Sequence, residues 1–199
     1  MKKIRYDSKL YTLLHLPTCV KNYKLVKKYP FLKPRYCDKY NYSWTSYDSI
    51  PPGWQKAFGL MMMDDIMTAC KNEGIDPSSL YVIECKEKWG RLIFELNDMP
   101  DSIADILQAY EHVSSNICFV CGKLDVPITN FGWIVPICKN CYSENDSRKK
   151  QYENFEKNLT KEDYRMPDYY IVKHFKDNTL IEKKVDVTWI TDKLRRANQ

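Results

Sequence analysis

Four cysteines fall in two pairs with the same internal gap, Cys118-x2-Cys121-x16-Cys138-x2-Cys141. Two residues between cysteines let a tight turn aim both thiolates at one cation. Sixteen residues between the pairs leave room for a short hairpin that brings the two turns together. The spacing predicts a closed tetrahedral Zn²⁺ site. Because thiolates fill all four positions, the predicted role of the metal is structural, whereas catalytic zinc keeps an open position. Two disulfides or an iron–sulfur cluster are the alternatives.

Basic and aromatic side chains gather around the sequence EKWG, residues 87–90. If EKWG is a hairpin turn, four candidate ligand-binding residues lie at or beside one tip: Lys86, Lys88, Trp89 and Arg91. A similar pair follows a proline nearer the start of the chain: Arg35 and Tyr36. Sites for nucleotides and single-stranded nucleic acids combine an aromatic ring, on which a base stacks, with cationic side chains that bind phosphates. In the alternative, Trp89 packs under the N-terminal aromatic segment and the charges are solvated.

Catalytic motifs are missing from the sequence. None of the three histidines, His15, His112 and His174, lies in an HExxH, HxE or HxH context, and no GxSxG, Walker A or GxGxxG motif occurs. Asp64 and Asp65 are adjacent on a predicted helix and therefore face different directions. An enzyme would need carboxylates distant in sequence that converge in space.

The elements that must position these residues follow from the hydrophobic pattern, which predicts a small mixed α+β domain. One helix is predicted over residues 54–73, with an apolar stripe: Phe58, Met62, Ile66, Ala69 and Cys70. Alternating patterns at 80–86 and 91–96 predict a β-hairpin, and a second amphipathic helix begins with Asp101 as its candidate N-cap. A short helix over 18–29 is expected to bury Val20, Tyr23 and Val26.

The chain has 199 residues, which fits one domain with a small appendage. We predict a basic, aromatic-rich α+β domain at 1–117, a zinc ribbon at 118–142, and a charged extension at 143–199 with a helix, a hairpin and a short helix. Residues 1–50 hold 11 Lys or Arg and 3 Asp or Glu, so the basic surplus of the chain lies there and hints at an anionic partner. A solvated basic face is the alternative.

Composition and the start of the chain predict a compartment. No apolar run approaches the roughly 20 residues of a membrane span. The run from Leu10 to Leu16 is interrupted by Thr12 and His15 and has no small-residue cleavage site, so no secretory signal is expected. We therefore expect a cytoplasmic protein that does not bind membranes. In such a reducing compartment, metal ligation explains the cysteine pairs better than disulfides do.

Several motifs together resemble a family. YPFLKPR, PPGWQKAFG, KEKWGRL, YEHVSSNICFVCGK and GWIVPICKNC, within residues 29–142, resemble small uncharacterised proteins of bacteriophages and prophages that carry a C-terminal Cys₄ zinc ribbon. The resemblance implies a phage-encoded accessory protein that works in the host bacterial cytoplasm. Such proteins often disable a host factor or capture a nucleotide signal used in defence. Residues after 145 lie outside the resemblance.

Three functional hypotheses follow. In the first, the protein is a non-catalytic binder of an anionic target, either a nucleotide-like signal or a host protein, and acts in counter-defence by sequestration or inhibition. In the second, it is a nucleic-acid-binding zinc-ribbon regulator. In the third, it is a metal-dependent hydrolase or nuclease with dispersed carboxylates. Homo-oligomer formation is left open.

Overall fold

The structure of the protein, a computed structural model, describes residues 16–34, 42–176 and 179–197. It is a mixed α+β fold with small antiparallel hairpins, which confirms the predicted class. None of its described helices combines the length and apolarity needed to cross a membrane. The elements in chain order are α1 (Leu16–Lys28), α2 (Pro52–Trp54), a π-helical segment (Gln55–Gly59), α3 (Leu60–Glu73), β1 (Val82–Lys88), β2 (Arg91–Leu96), α4 (Asp101–Ser114), β3 (Ile128–Asn130), β4 (Ile134–Pro136), α5 (Lys139–Tyr142), α6 (Asp146–Glu156), β5 (Tyr169–Lys176), β6 (Thr179–Asp186) and α7 (Thr188–Ala197).

The helix that runs from α2 through the π-helical segment into α3 forms the centre of the core. All members of the predicted stripe are buried: Phe58, Met62, Ile66, Ala69 and Cys70. Gly74 ends α3 in the left-handed conformation, at φ +68°, which a glycine adopts without steric cost. Apolar side chains at helical spacing therefore predicted this element and the face that it buries.

The orientation predicted for α1 is wrong in part. Val26 is buried as expected, but Val20 and Tyr23 are exposed. The helix instead buries Cys19 and the polar Asn22. Asn22 can enter the interior because its amide donates hydrogen bonds to the Tyr42 carbonyl and to Asp48 Oδ2, both at 2.9 Å. A pattern that counts apolar residues alone does not find a buried, hydrogen-bonded amide.

The hairpin β1–β2 packs against α4. Leu92, Phe94 and Leu96 of β2 are buried, as their alternation predicts, and the backbone N–H of Leu92 donates to Ser114 Oγ of α4 at 2.9 Å. Asp101 is the first residue of α4; the N-cap is Pro100, so the predicted N-cap is wrong by one position. A register shift in β1 between Val82 and Glu84 accompanies exposure of Ile83.

The last third of the chain folds back onto the core. Helix α6 buries Tyr152, and the hairpin β5–β6 leads into α7. Lys193 of α7 forms an ion pair with Asp65 of α3 at 2.7 Å. Further residues of this part belong to the same buried cluster as Trp54 and Phe58: Met166, Tyr170, Val187, Ile190 and Leu194. The division of the chain at residues 117/118 and 142/143 stays a prediction.

Candidate metal centre and the neighbouring hairpin tip

The four paired cysteines converge at one point. Their sulfur atoms all lie within 4.8 Å of one another, and the Sγ atoms of Cys121 and Cys138 are 3.7 Å apart. Tetrahedral coordination with Zn–S bonds of about 2.3 Å places sulfurs roughly 3.8 Å apart, so the donor set fits a Zn²⁺ ion. Cys118 and Cys138 are buried, whereas Cys121 and Cys141 are half-buried. The cluster can therefore hold a metal ion that is largely shielded from solvent.

Backbone hydrogen bonds shape the first cysteine turn. The N–H of Gly122 donates to the Cys118 carbonyl at 2.9 Å, and the N–H of Cys118 donates to the Lys123 carbonyl at 2.8 Å. Gly122 adopts φ +82°, which closes the turn at a position where other residues would be strained. These bonds bring Cys118 and Cys121 onto the same side of the turn.

The second turn contributes its sulfurs from the start of helix α5. The N–H groups of Cys141 and Tyr142 donate to the Cys138 carbonyl at 3.0 and 3.1 Å. The N–H of Cys138 also points at Cys118 Sγ, 3.4 Å away, and so joins the two turns. N–H groups directed at sulfur stabilise thiolate ligands, as a metal–thiolate centre requires.

The thiols differ in acidity because their surroundings differ. Burial raises the pKa of Cys138 and that of Cys141. Burial also acts on Cys121, but hydrogen bonds from the Lys123 backbone and from the neighbouring thiols outweigh it and lower its pKa. Four sulfurs at these distances repel one another when ionised, so a bound dication is what allows all of them to be thiolates.

The cysteine cluster is held against the core by the start of the central helix. The N–H of Gly53 donates to the Phe119 carbonyl, and the indole N–H of Trp54 donates to the Ile117 carbonyl, both at 2.8 Å. A Cβ on Gly53 would lie 2.1 Å from the Cys118 carbonyl oxygen. The close approach of two backbones explains why glycine stands here.

Helix α6 covers another side of the cluster. The hydroxyl of buried Tyr152 donates to the Ile137 carbonyl at 3.0 Å. Lys139, which directly follows a cysteine, forms ion pairs with Glu156 at 3.1 Å and Glu153 at 3.5 Å. The charged segment after residue 143 thus packs on the cysteine cluster through Tyr152 and through the ion pairs that Glu153 and Glu156 form with Lys139.

The EKWG sequence forms a two-residue hairpin turn, as predicted, with Trp89 and Gly90 at its tip. Lys88 is paired with Arg91 across the strands. Trp89 has φ +51° and is 72% exposed, and Lys88 Nζ lies 4.9 Å from its ring centroid. The alternative, in which Trp89 packs under the aromatic segment, is therefore wrong.

The basic residues around the tip are partly paired with carboxylates. Lys86 forms an ion pair with Glu84, and Arg91 lies 3.8 Å from Glu111. Burial raises the pKa of Glu111, while Arg91 acts in the opposite direction. Lys88 has no ion pair with any residue in the described part of the chain. Arg35 and Tyr36, the other predicted ligand-binding residues, lie outside the described residues.

Trp133 is a residue of this surface that the sequence reasoning missed. Its indole N–H donates to Glu87 Oε2 at 3.0 Å, while Glu87 Oε1 accepts the N–H of Gly90 at 2.7 Å. Trp133 is 58% exposed and packs edge-on against Phe119, at 5.4 Å between centroids. Its position beside Gly132, in the loop between β3 and β4, is the signal that could have found it, since a tryptophan at a turn has little core to enter.

The acidic pair considered for catalysis does not form a metal site. Asp64 accepts from the hydroxyl of Tyr29 and pairs with Lys28, whereas Asp65 accepts from Tyr110 and pairs with Lys193. Among the described residues, the cysteine cluster is the one group of three or more His, Cys, Asp or Glu residues arranged to hold a metal.

Comparison with known proteins gives no match: no family model, no curated protein and no solved structure matches the chain. The resemblance to bacteriophage proteins stays a prediction.

Proposed function

We propose that the protein is a non-catalytic binding protein in which a structural Zn²⁺ ion holds a surface that recognises an anionic target. The ion is bound by the four cysteines of the cluster. The recognition surface, called here the aromatic tip, consists of Lys88, Trp89, Arg91 and Trp133. Sequestration of a target requires no catalytic group.

The proposal rests mainly on the conformation and exposure of Trp89. A bulky residue in the left-handed region costs roughly 1–2 kcal/mol. An asparagine at this turn position would avoid much of that cost, since Asn-Gly is favoured in two-residue hairpin turns whose residues both have positive φ. Trp89 and Gly90 have φ +51° and +79°. The exposed ring therefore reduces stability without filling a core, which is expected when it serves binding.

The side chains around Trp89 define the class of target. An exposed indole offers a face on which a base or another planar ring stacks, and Lys88 and Arg91 supply cations for phosphates or carboxylates. A nucleotide-like signal and an anionic patch of a host protein both meet these requirements. If the predicted resemblance to bacteriophage proteins holds, the activity belongs to counter-defence: capture of a signal or inhibition of a host factor.

Trp89→Asn tests the aromatic tip, with Trp44→Asn as a matched control, since Trp44 is also exposed but belongs to neither hairpin. The zinc-loaded proteins are titrated calorimetrically with adenosine diphosphate and with a linear adenosine dinucleotide, and are used to capture proteins from a bacterial lysate. Loss of one stacking contact weakens binding about tenfold.

The proposal is supported if Trp89→Asn alone loses nucleotide binding or one captured protein. It is overturned if no nucleotide and no captured protein depends on Trp89. A nucleic-acid regulator would instead lose affinity as the salt concentration rises. On duplex DNA, a plot of the logarithm of the affinity against the logarithm of the salt concentration has a slope of about −0.9 for each phosphate contact.

A further inference from the structure

A groove runs between α1 and the central helix, away from the aromatic tip. Its volume is about 590 Å³, within the range of small-molecule sites. The buried rings of Tyr29 and Tyr47 form its floor, and the apolar side chains of Leu25 and Leu60 also line it. Four lysines stand along it: Lys21, Lys24, Lys28 and Lys56. No Asp or Glu is among the described residues that line it.

The charge of this lysine groove is largely uncompensated. Lys28 forms an ion pair with Asp64 at 2.9 Å. Within the described ranges, Lys21, Lys24 and Lys56 have no ion pair, and all are exposed. Like charges on one concave face repel each other and focus a positive potential that an anion relieves.

The polar groups of the floor already have partners within the protein. The Tyr29 hydroxyl donates to Asp64 Oδ1 at 2.8 Å, and the Tyr47 hydroxyl points at the Gln55 carbonyl, 3.4 Å away. The amide of Gln55 donates to the carbonyls of Tyr47 and Ile50 at 3.2 and 2.7 Å. The floor is therefore preformed and offers few free polar groups to the edge of a base.

The π-helical segment forms one wall of the groove. Its hydrogen bonds join residues five apart, a rare arrangement that is frequently found at functional sites. Gln55 and Lys56 belong to this segment, and Leu60 follows it. Gly59 leaves room for the Tyr47 ring, because a Cβ at position 59 would lie 2.5 Å from the Tyr47 hydroxyl oxygen. The irregular helix thus turns one lysine and one leucine toward the same groove.

We propose that the lysine groove binds a small amphiphilic anion, a carboxylate or phosphate carried on an apolar body. The apolar body would lie on Leu25 and Leu60, and the anionic group would lie among Lys21, Lys24 and Lys56. An apolar floor with fixed tyrosine hydroxyls and a cationic rim matches this chemistry better than that of a nucleotide. The site is separate from the aromatic tip, and its occupation does not depend on the function proposed for that surface.

The test uses decanoate and octyl phosphate as probes, with decanol and inorganic phosphate as partial probes that lack the charge or the apolar body. Binding to the zinc-loaded full-length protein is measured by calorimetry and located by NMR shifts of the Leu25 and Leu60 methyl groups. The variant Lys24→Gln/Lys56→Gln is compared with Lys27→Gln/Lys71→Gln, which removes the same charge from exposed lysines outside the groove.

We expect at least one charged probe to bind about tenfold more tightly than either partial probe, and the groove variant to lose about tenfold in affinity while the control variant does not. Preference for decanoate or for octyl phosphate identifies the source of the anionic group. Equal binding of decanol, equal binding of inorganic phosphate, an unaffected groove variant, or shifts confined to other methyl groups would each overturn the proposal.

Discussion

Gly53→Ala tests the contact between the start of the central helix and the first cysteine turn. A Cβ at this position would lie 2.1 Å from the Cys118 carbonyl oxygen and 2.7 Å from the Gly122 nitrogen, whereas ordinary contact begins at 3.4 Å. Both neighbours are backbone atoms, so neither can rotate away as a side chain would. The helix and the turn must move apart.

The cost follows from the contacts that this movement strains. Overpacking costs about 1–3 kcal/mol. The hydrogen bonds donated by Gly53 N–H and Trp54 Nε1, both 2.8 Å long, contribute about 1 kcal/mol each. The better helix propensity of alanine offsets about 1 kcal/mol. The expected net loss is about 2–4 kcal/mol, and it lowers the melting temperature by roughly 5–15 °C.

Circular dichroism of the zinc-loaded protein measures the melting temperature, and a chromophoric chelator measures the rate of metal release, which should rise in Gly53→Ala. Gly132→Ala is the control, since a Cβ there meets nothing within 4 Å and the change adds only backbone strain at φ +98°. If Gly53→Ala melts and releases metal like the wild type, the central helix does not hold the cysteine turn in place.

Three further predictions concern the ion, the tip and one histidine. Cys138→Ser should abolish binding of one equivalent of zinc, measured by elemental analysis, and lower the melting temperature. Trp89→Asn should leave the melting temperature unchanged or raise it by a few degrees, because relief of the left-handed strain offsets the lost contact with Lys88; a marked decrease would contradict an exposed binding role. His112 stacks on Tyr170 with 4.3 Å between the ring centroids. Burial, together with the positive charge of Arg91, lowers the pKa of His112 to about 4. As the pH falls, His112 is protonated in the unfolded chain before it is protonated in the folded protein. The contribution of His112 to the free energy of unfolding is therefore lost as pH falls from about 6.5 towards about 4. The difference in melting temperature between wild type and His112→Gln should therefore narrow over that pH interval. Loss of zinc in acid affects both proteins equally. A difference in melting temperature that stays constant would contradict a lowered pKa of His112.

Local patterns predicted the parts of this fold in which side-chain type and position agree. Apolar residues at helical spacing identified the face that α3 buries, and alternation identified the buried residues of β2. The cysteine spacing predicted the cluster because the ligands of a tetrahedral ion constrain the chain strongly. In each case, a few residues close in sequence carry the whole signal.

Other features depend on partners that no local pattern contains. The bond between Trp133 and Glu87 joins residues 46 positions apart. Asn22 is buried because Asp48, 26 positions away, accepts from its amide. The lysine groove arises where the π-helical segment brings Lys56 beside α1, and the sequence carries no marker for that irregular hydrogen bonding. Tertiary hydrogen bonds, rather than hydrophobic periodicity, determine these positions.

The contact between the cysteine cluster and the aromatic tip makes it possible to distinguish a structural ion from a catalytic one by experiment. A Cβ on Gly90 would lie 3.3 Å from Pro136 and 3.4 Å from the Ile134 carbonyl, so the tip rests on β4, which leads directly to Cys138.

With the function proposed above, removal of the zinc ion should therefore abolish target binding at Trp89, since β4 and the loop that carries Trp133 lose their anchor. Replacement by Co²⁺, which also accepts four thiolates in a tetrahedron, should restore both the fold and the affinity measured by calorimetry, because the ion that we propose supplies geometry alone. A metal that contacts the target would give different affinities with Zn²⁺ and Co²⁺, and the visible spectrum of the cobalt protein would change as the target binds. An unchanged cobalt spectrum at saturating target, with matching affinities, is the outcome that a purely structural centre requires.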